Sequence, residues 1–345
     1  MSVRVSPFRR TYGAFAAVIV SLGLLCLIGI NSCASREPVV IDRLDQALFS
    51  GKTPDAVRAF LTKNRTAAKL YFNGGSLPPD GDPAGDTALV AELTARLNNP
   101  ELNLLYQQTQ TEFGDASVLS DGLSEAFTNI KRDFPDFKPP RVVTMVTGFM
   151  GPDLIVTDSL IVIGLDYFAG PKATYRPTGE EFPQYVLRRY QQPYIVPAIV
   201  RLIASRYNKS DQADQTLLAD MVYNGKSLVF TRTMLPETPD SLLIGYSDRQ
   251  LTETFNAQGL IWGHFIDNQL LYNTNGEIKL RYMGERPFTA EIGNRCPGRI
   301  GEWLGWRIVS RYFDEKKLSI NDLMANPNAR QIFEQSGYKG QKDEE

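Results

Sequence analysis

The chain has 345 residues, with 37 basic and 39 acidic side chains, one histidine and three cysteines. Residues 1–32 hold three arginines and no acid, so the remaining 313 residues carry a net charge of −5. That balance argues against a nucleic-acid partner, which needs a basic face. A lone histidine argues against the zinc sites of most metallohydrolases, which use two or three.

Arg4, Arg9 and Arg10 precede an apolar or small run from Ala14 to Ile30, the pattern of a secretory signal. A spanning helix needs about 20 apolar residues, so this run is marginal as a permanent anchor. It closes on Ile30-Asn31-Ser32-Cys33, which resembles a bacterial lipoprotein box. A cut before Cys26 would put Leu25 where a small residue is needed. The expectation is a signal peptide over residues 1–32, cleaved between Ser32 and Cys33, with Cys33 carrying acyl chains. Each buried CH₂ contributes about 0.8 kcal/mol, so several chains make a lasting anchor. An uncleaved apolar segment is the alternative. With Cys33 acylated, Cys296 has no partner for a disulfide and reads as a small buried hydrophobe.

Residues 33–40 read as lipid anchor and tether. From Ile41 the spacing of Ile41, Leu44, Ala47 and Leu48 predicts a helix stopped by Gly51. Thr53-Pro54 restarts it, with threonine as N-cap and proline at the first helical position. Gly74 to Asp86 is a loop rich in Gly, Pro and Asp. Helices are expected at Thr87–Asn98, Pro100–Phe113 and Val118–Phe134, which makes residues 41–140 a helical region closed by Pro135, Pro139 and Pro140. Residues 141–338 read as an α+β core continuous with it. Its strands begin with the β-branched run Val142–Val146. Leu154–Thr157 and Leu160–Leu165 follow as a hairpin turned by Asp158-Ser159. Helices are then predicted at Phe182–Tyr190, Tyr194–Tyr207, Gln212–Tyr223, from Ser247 to about Tyr272, Pro297–Phe313, Ser319–Ala325 and Pro327–Ser336. Ser247 and Gln250 have the spacing of a capping box, and Asn275-Gly276 reads as a tight turn. Residues 339–345 are a polar tail. The fold class is α+β, mostly helical, with a small hairpin sheet packed against helices.

The chemistry-bearing patterns are mostly near misses. His264 lies mid-helix between aromatics and reads as a packed histidine. Gly225-Lys226-Ser227 resembles the end of a phosphate loop, but Asp220 stands where the first glycine belongs; Gly225 reads instead as a helix stop. The Asp80–Asp86 loop lacks the closing glutamate of a calcium loop, with Ala91 in its place. Asp153, Asp158 and Asp166 bracket the hairpin and are explained as turn and strand-end residues. The densest signal is Cys296–Arg307, CPGRIGEWLGWR. Gly301 and Gly305 lie on one side of a helix at a cost of about 1 kcal/mol each, which makes sense where another backbone approaches. The structural expectation is a tightly docked core helix. The functional one is that Arg299, Glu302 and Trp306 face a cleft or partner.

Several stretches, in order and spacing, resemble the gliding-motility lipoprotein GldB family of Bacteroidetes. They are LIVTDSLIVIGLDYF from Leu154, Tyr194–Pro197, MVYNGKSLVF from Met221, Gly245-Tyr246 with Gln250-Leu251, Ile261-Trp262 with Phe265-Ile266, Leu271-Tyr272, Pro287-Phe288 and PGRIGEWLGW from Pro297. The resemblance implies a lipid-anchored envelope protein that supports gliding beside the type IX secretion machinery, acting through protein contacts without catalysis or cofactor. It also implies distant similarity to zinc-protease-like folds, in which the hairpin precedes an H-E-x-x-H helix. Here that helix reads YIVPAIVRLIA from Tyr194, with no histidine or glutamate, so a degenerate, metal-free version is expected. Cys33 is followed by no acidic run of the kind tied to surface export in Bacteroidetes, so a periplasm-facing orientation is expected. The competing functions are a periplasmic ligand-binding module and a carboxylate-dependent envelope hydrolase.

Overall fold

The computed structural model of the chain describes residues 37–72 and 81–341. Ser32, Cys33 and the expected signal segment lie outside them. After the short strand β1 (Ile41–Asp42) come six helices: α1 (Leu44–Phe49), α2 (Pro54–Lys63), α3 (Arg65–Phe72), α4 (Thr87–Leu97), α5 (Pro100–Phe113) and α6 (Ser117–Asp133). Strands β2 (Arg141–Met145), β3 (Leu154–Val156) and β4 (Leu160–Gly164) follow. Then come α7 (Gln184–Leu187), α8 (Ile195–Ala204), α9 (Leu217–Met234), α10 (Asp240–Ile244), α11 (Asp248–Asn256), α12 (Gln258–Asp267) and α13 (Gly276–Met283). The last three are α14 (Ile300–Lys316), α15 (Ile320–Ala325) and α16 (Ala329–Ser336). The fold is a mostly helical α+β arrangement around a small mixed sheet.

The sheet order is β1-β2-β4-β3. β1 pairs with β2 and β2 with β4 in parallel; β3 returns antiparallel on β4, with Ile155 opposite Val162. The expected hairpin is present. The sheet, however, has four strands, because Ile41-Asp42 pairs with Val142-Val143 instead of opening a helix. A parallel pair needs a long crossover, and α1–α6 supply it. β4 is buried throughout and β2 everywhere except Arg141. That is why both read as unbroken β-branched runs and not as an alternation. Asp45, fully buried at the start of α1, ties the sheet to the crossover. It accepts from Arg43 Nε at 3.0 Å and Nη2 at 2.9 Å, from Gln110 Nε2 at 2.9 Å and from the Thr144 hydroxyl.

Local chemistry sets many of the helix ends. Thr53 accepts from the Ala56 N–H with Pro54 at the first position, and Asp86 accepts from the Ala88 and Leu89 N–H groups. The Ser247–Gln250 capping box forms. Its helix stops at Asn256, and α12 starts afresh, so the long helix expected to Tyr272 is two. Asn275 is not a turn residue alone: it caps α13, accepting from the Glu277 and Ile278 N–H groups.

The centre of the molecule is the crossing of α9 and α14. Gly225 does not end a helix, since α9 runs through it to Met234. A Cβ on Gly225 would overlap the Gly305 carbonyl, and one on Gly305 would overlap the Met221 carbonyl. The two glycines let the backbones touch, as expected for Gly305. Lys226, next in line and 1% exposed, donates from Nζ to the carbonyls of Lys209 (2.7 Å), Met324 (3.1 Å) and Asn326 (2.7 Å). It pins the end of α15 to α9, and burial lowers its pKa to about 8.

Candidate functional site

A cavity of about 200 Å³ opens where the start of β3, α8, α10 and the N-terminus of α14 meet. Larger depressions also occur among the described residues, such as one of about 420 Å³ beside Lys226 and one of about 480 Å³ lined by Leu260 and Cys296. The first has its buried cation committed to three carbonyls, and the second has no concentrated charge, so the smaller cavity carries the chemistry.

Its wall is made by an irregular turn. The Thr289 hydroxyl donates to the Pro297 carbonyl at 2.8 Å and Tyr246 Oη to the Gly298 carbonyl at 2.8 Å. Gly298 has no room for a Cβ, which would overlap the Arg286 carbonyl. Arg299 then adopts a left-handed backbone, φ 57°, uncommon for a residue with a Cβ. Its guanidinium lies 5.7 Å from the centre of the Tyr246 ring and donates from Nη2 to the Ile244 carbonyl at 2.9 Å. Gly245 ends α10, also left-handed at φ 73°. A Cβ there would lie 2.6 Å from Arg189 Cδ.

Charge alternates along this wall. Glu285 Oε1 lies 2.8 Å from Arg189 Nη1 and 3.1 Å from Arg299 Nε. Glu302 Oε2 accepts from Arg299 Nη1 at 3.2 Å and from Arg201 Nη2 at 2.8 Å. Arg299 is 6% exposed and Glu302 8%. Burial by itself would raise the Glu302 pKa, but Arg201 and Arg299 outweigh it and hold the carboxyl below its usual range. Burial would likewise lower Arg299, and Glu302 and Glu285 reverse that. Arg188, behind the wall, donates to the Gly245 carbonyl at 2.6 Å and to Gln250. Its pKa is lowered, chiefly by burial and further by repulsion from Arg189 and Arg299.

The expected site residues therefore separate. Arg299 lines the cavity, and Glu302 stands behind it as the shared counter-ion. Trp306, 4% exposed, packs in the hydrophobic core one turn further on. Arg189, Arg201 and Glu285 were not singled out from the sequence. Arg201 had a readable signal, as the one charged side chain in the apolar helix α8; Glu285 had none.

The hairpin aspartates each have other partners. Asp153 Oδ2 accepts from Tyr190 Oη at 2.7 Å and Asp153 Oδ1 from the Leu154 N–H at 2.8 Å. Asp158 is exposed and paired with Arg206 at 3.0 Å. Asp166 is buried and accepts from the Thr147 and Phe149 N–H groups at 3.0 and 2.9 Å. His264 Nε2 is hydrogen-bonded to Tyr282 Oη at 2.9 Å. Among the described residues, no group of three or more His, Cys, Asp or Glu side chains is placed to hold a metal ion. Nor is any helix among them long and apolar enough to cross a membrane.

Fold and site together define a helical α+β protein whose cleft is walled by an arginine–glutamate ion chain. It belongs to the GldB family: the family model described as gliding motility protein GldB matches residues 31–340. Neither a curated protein nor a solved structure matches the chain. The chain is thus a gliding-motility-related protein.

Proposed function

We propose that this chain is a lipid-anchored cell-envelope protein, tethered through acylated Cys33 and facing the periplasm. In this reading it supports gliding and the associated type IX secretion machinery through protein contacts and not through catalysis. Residues 33–40 act as the tether, and the regions 41–140 and 141–338 work as one body. Family membership supports the motility role, and the apolar run ending in Ser32-Cys33 supports the anchor.

The observation that carries the contact-making part is the ion chain at the cleft. A general acid or base needs a pKa near the working pH. Glu302 is instead held low by Arg201 and Arg299, and Glu285 bridges Arg299 and Arg189. Such groups are fixed to present a surface, with Arg299 at the cleft and Trp306 stiffening the helix behind it. The cavity beside Arg299 also favours a second reading, a ligand-binding module.

The test is a deletion strain complemented with the wild-type gene or with Cys33→Ala. Single cells are filmed on glass, and type IX cargo is assayed in the same supernatants. The proposal expects loss of movement and secretion in the deletion, restored by wild type and not by Cys33→Ala. Normal gliding and secretion in the deletion would remove the motility role; normal gliding with Cys33→Ala would remove the anchor.

A further inference from the structure

We infer that the cavity at Arg299 receives the free carboxylate of a polypeptide C-terminus that ends in an apolar residue. This rests on the reading of the chain as a contact-making protein, and it specifies the chemistry of the partner.

Charge comes first. Arg188, Arg189, Arg201 and Arg299 gather at the cavity and its wall, against the carboxylates of Glu285, Glu302 and Asp153. The one cation in excess is Arg188, which lies behind the wall and donates to the Gly245 carbonyl and Gln250. The donors are also not used up. Arg201 commits only Nη2, to Glu302 and Asn224, and Arg189 commits only Nη1, to Glu285. The remaining guanidinium N–H groups of both make no hydrogen bond to the described residues. Their side chains are 24% and 21% exposed, so a ligand can reach them. A guanidinium offers paired parallel donors, which match the two oxygens of a carboxylate.

Shape and lining narrow the choice. About 200 Å³ is below the roughly 300–1,000 Å³ typical of whole small-molecule sites, so the cavity fits one end of a larger molecule. Leu154, Phe168, Pro197 and Leu242 line it together with the arginines. An apolar group is therefore wanted within one residue of the anion. A C-terminal leucine- or phenylalanine-like residue supplies both, whereas a bare oxyanion leaves the apolar wall unused. The Asp153 carboxylate already accepts from Tyr190 and from the Leu154 N–H.

The experiment is isothermal titration of the full-length protein in detergent with acetyl-Ala-Leu-Leu as the free acid. The same peptide as its C-terminal amide, and inorganic phosphate, are titrated in parallel. The acid is expected to bind at least about tenfold more tightly than the amide, which corresponds to about 1.4 kcal/mol, and more tightly than phosphate. Two variants locate the site. Arg189→Gln removes free donors at the wall while Glu285 keeps Arg299. Ala198→Phe fills the cavity and leaves every charge in place. Both are expected to weaken the acid by about tenfold or more, with unchanged circular dichroism. Equal binding of acid and amide, phosphate binding as tightly as the peptide, no heat at millimolar peptide, or binding indifferent to both variants would each overturn the assignment. None of these results bears on the Cys33→Ala phenotype, so the two proposals fail separately.

Discussion

Replacing Gly305 by alanine tests the reasoning about the molecule's centre. In an ordinary helix the change stabilises by about 1 kcal/mol, because alanine restricts the unfolded chain and favours the helix. At position 305 the new Cβ would overlap the carbonyl oxygen of Met221 and crowd its Cα. Both sides of the contact are backbone, so no rotamer change relieves it. The helices α9 and α14 must move apart, loosening Trp303, Leu304, Met221 and Phe230, all of them core residues. Overpacking of this kind costs about 1–3 kcal/mol and sometimes more. The backbone overlap puts the cost at the top of that range, about 3 kcal/mol, and the helical gain returns about 1, so Gly305→Ala is expected to destabilise by about 2 kcal/mol net. Gly263→Ala is the matched control. It lies inside α12, and nothing stands within 4 Å of the added Cβ, so it should stabilise by about 0.5–1 kcal/mol. Urea unfolding of the purified chain, followed by tryptophan fluorescence, reads both. A Gly305→Ala midpoint at or above that of the wild type would show that the helices are not in backbone contact.

Three further outcomes follow from buried groups. Lys226→Met strips donors from three carbonyls and should cost about 1–3 kcal/mol. Burial lowers the Lys226 pKa to about 8 from 10.5. The unfolded chain therefore holds the extra proton between those values, and wild-type stability should gain a rising component over that window. Lys226→Met should lack it; a slope identical to wild type would contradict the assignment. Glu302→Gln leaves the buried Arg299 and the partly exposed Arg201 without their shared carboxylate and should cost about 3 kcal/mol in a urea titration at pH 7. Because the folded pKa of Glu302 is depressed, its contribution is complete above the unfolded value near 4.5. It fades as the pH falls through the lower folded value, so the difference between wild type and Glu302→Gln should shrink in acid. Cys296 has its thiol pushed up to about 12 by burial. It is half-buried, so at pH 8 it should react with a thiol-labelling reagent more slowly than in the urea-unfolded chain; native labelling as fast as in the unfolded chain would argue against the raised thiol pKa.

Much of the secondary structure was legible because its causes are local. Thr53-Pro54, Asp86 and the Ser247–Gln250 box act within one helical turn, so their effects could be read from neighbouring residues. The hairpin at Asp158-Ser159 was legible for the same reason, and so was the need for a close backbone at Gly305. Strand β1 was not. Ile41-Asp42 carries no strand pattern of its own and is extended because Val142-Val143 lies beside it. Gly225 misled in the same way: glycine commonly ends helices, but here α9 continues because Gly305 of α14 needs the space.

For the site, the residues near Pro297 announce a dense Gly-Trp-Arg-Glu helix, and a single histidine argues against a zinc site that needs two or three. Which charges meet is set by the packing of distant segments. Arg189, Arg201, Glu285 and Glu302 come from separate segments, and no spacing along the chain encodes their convergence. A helix or turn is fixed by interactions between residues a few positions apart, whereas this ion chain exists only once packing has closed the distances and, at the buried Arg299–Glu302 pair, excluded the water that would screen it.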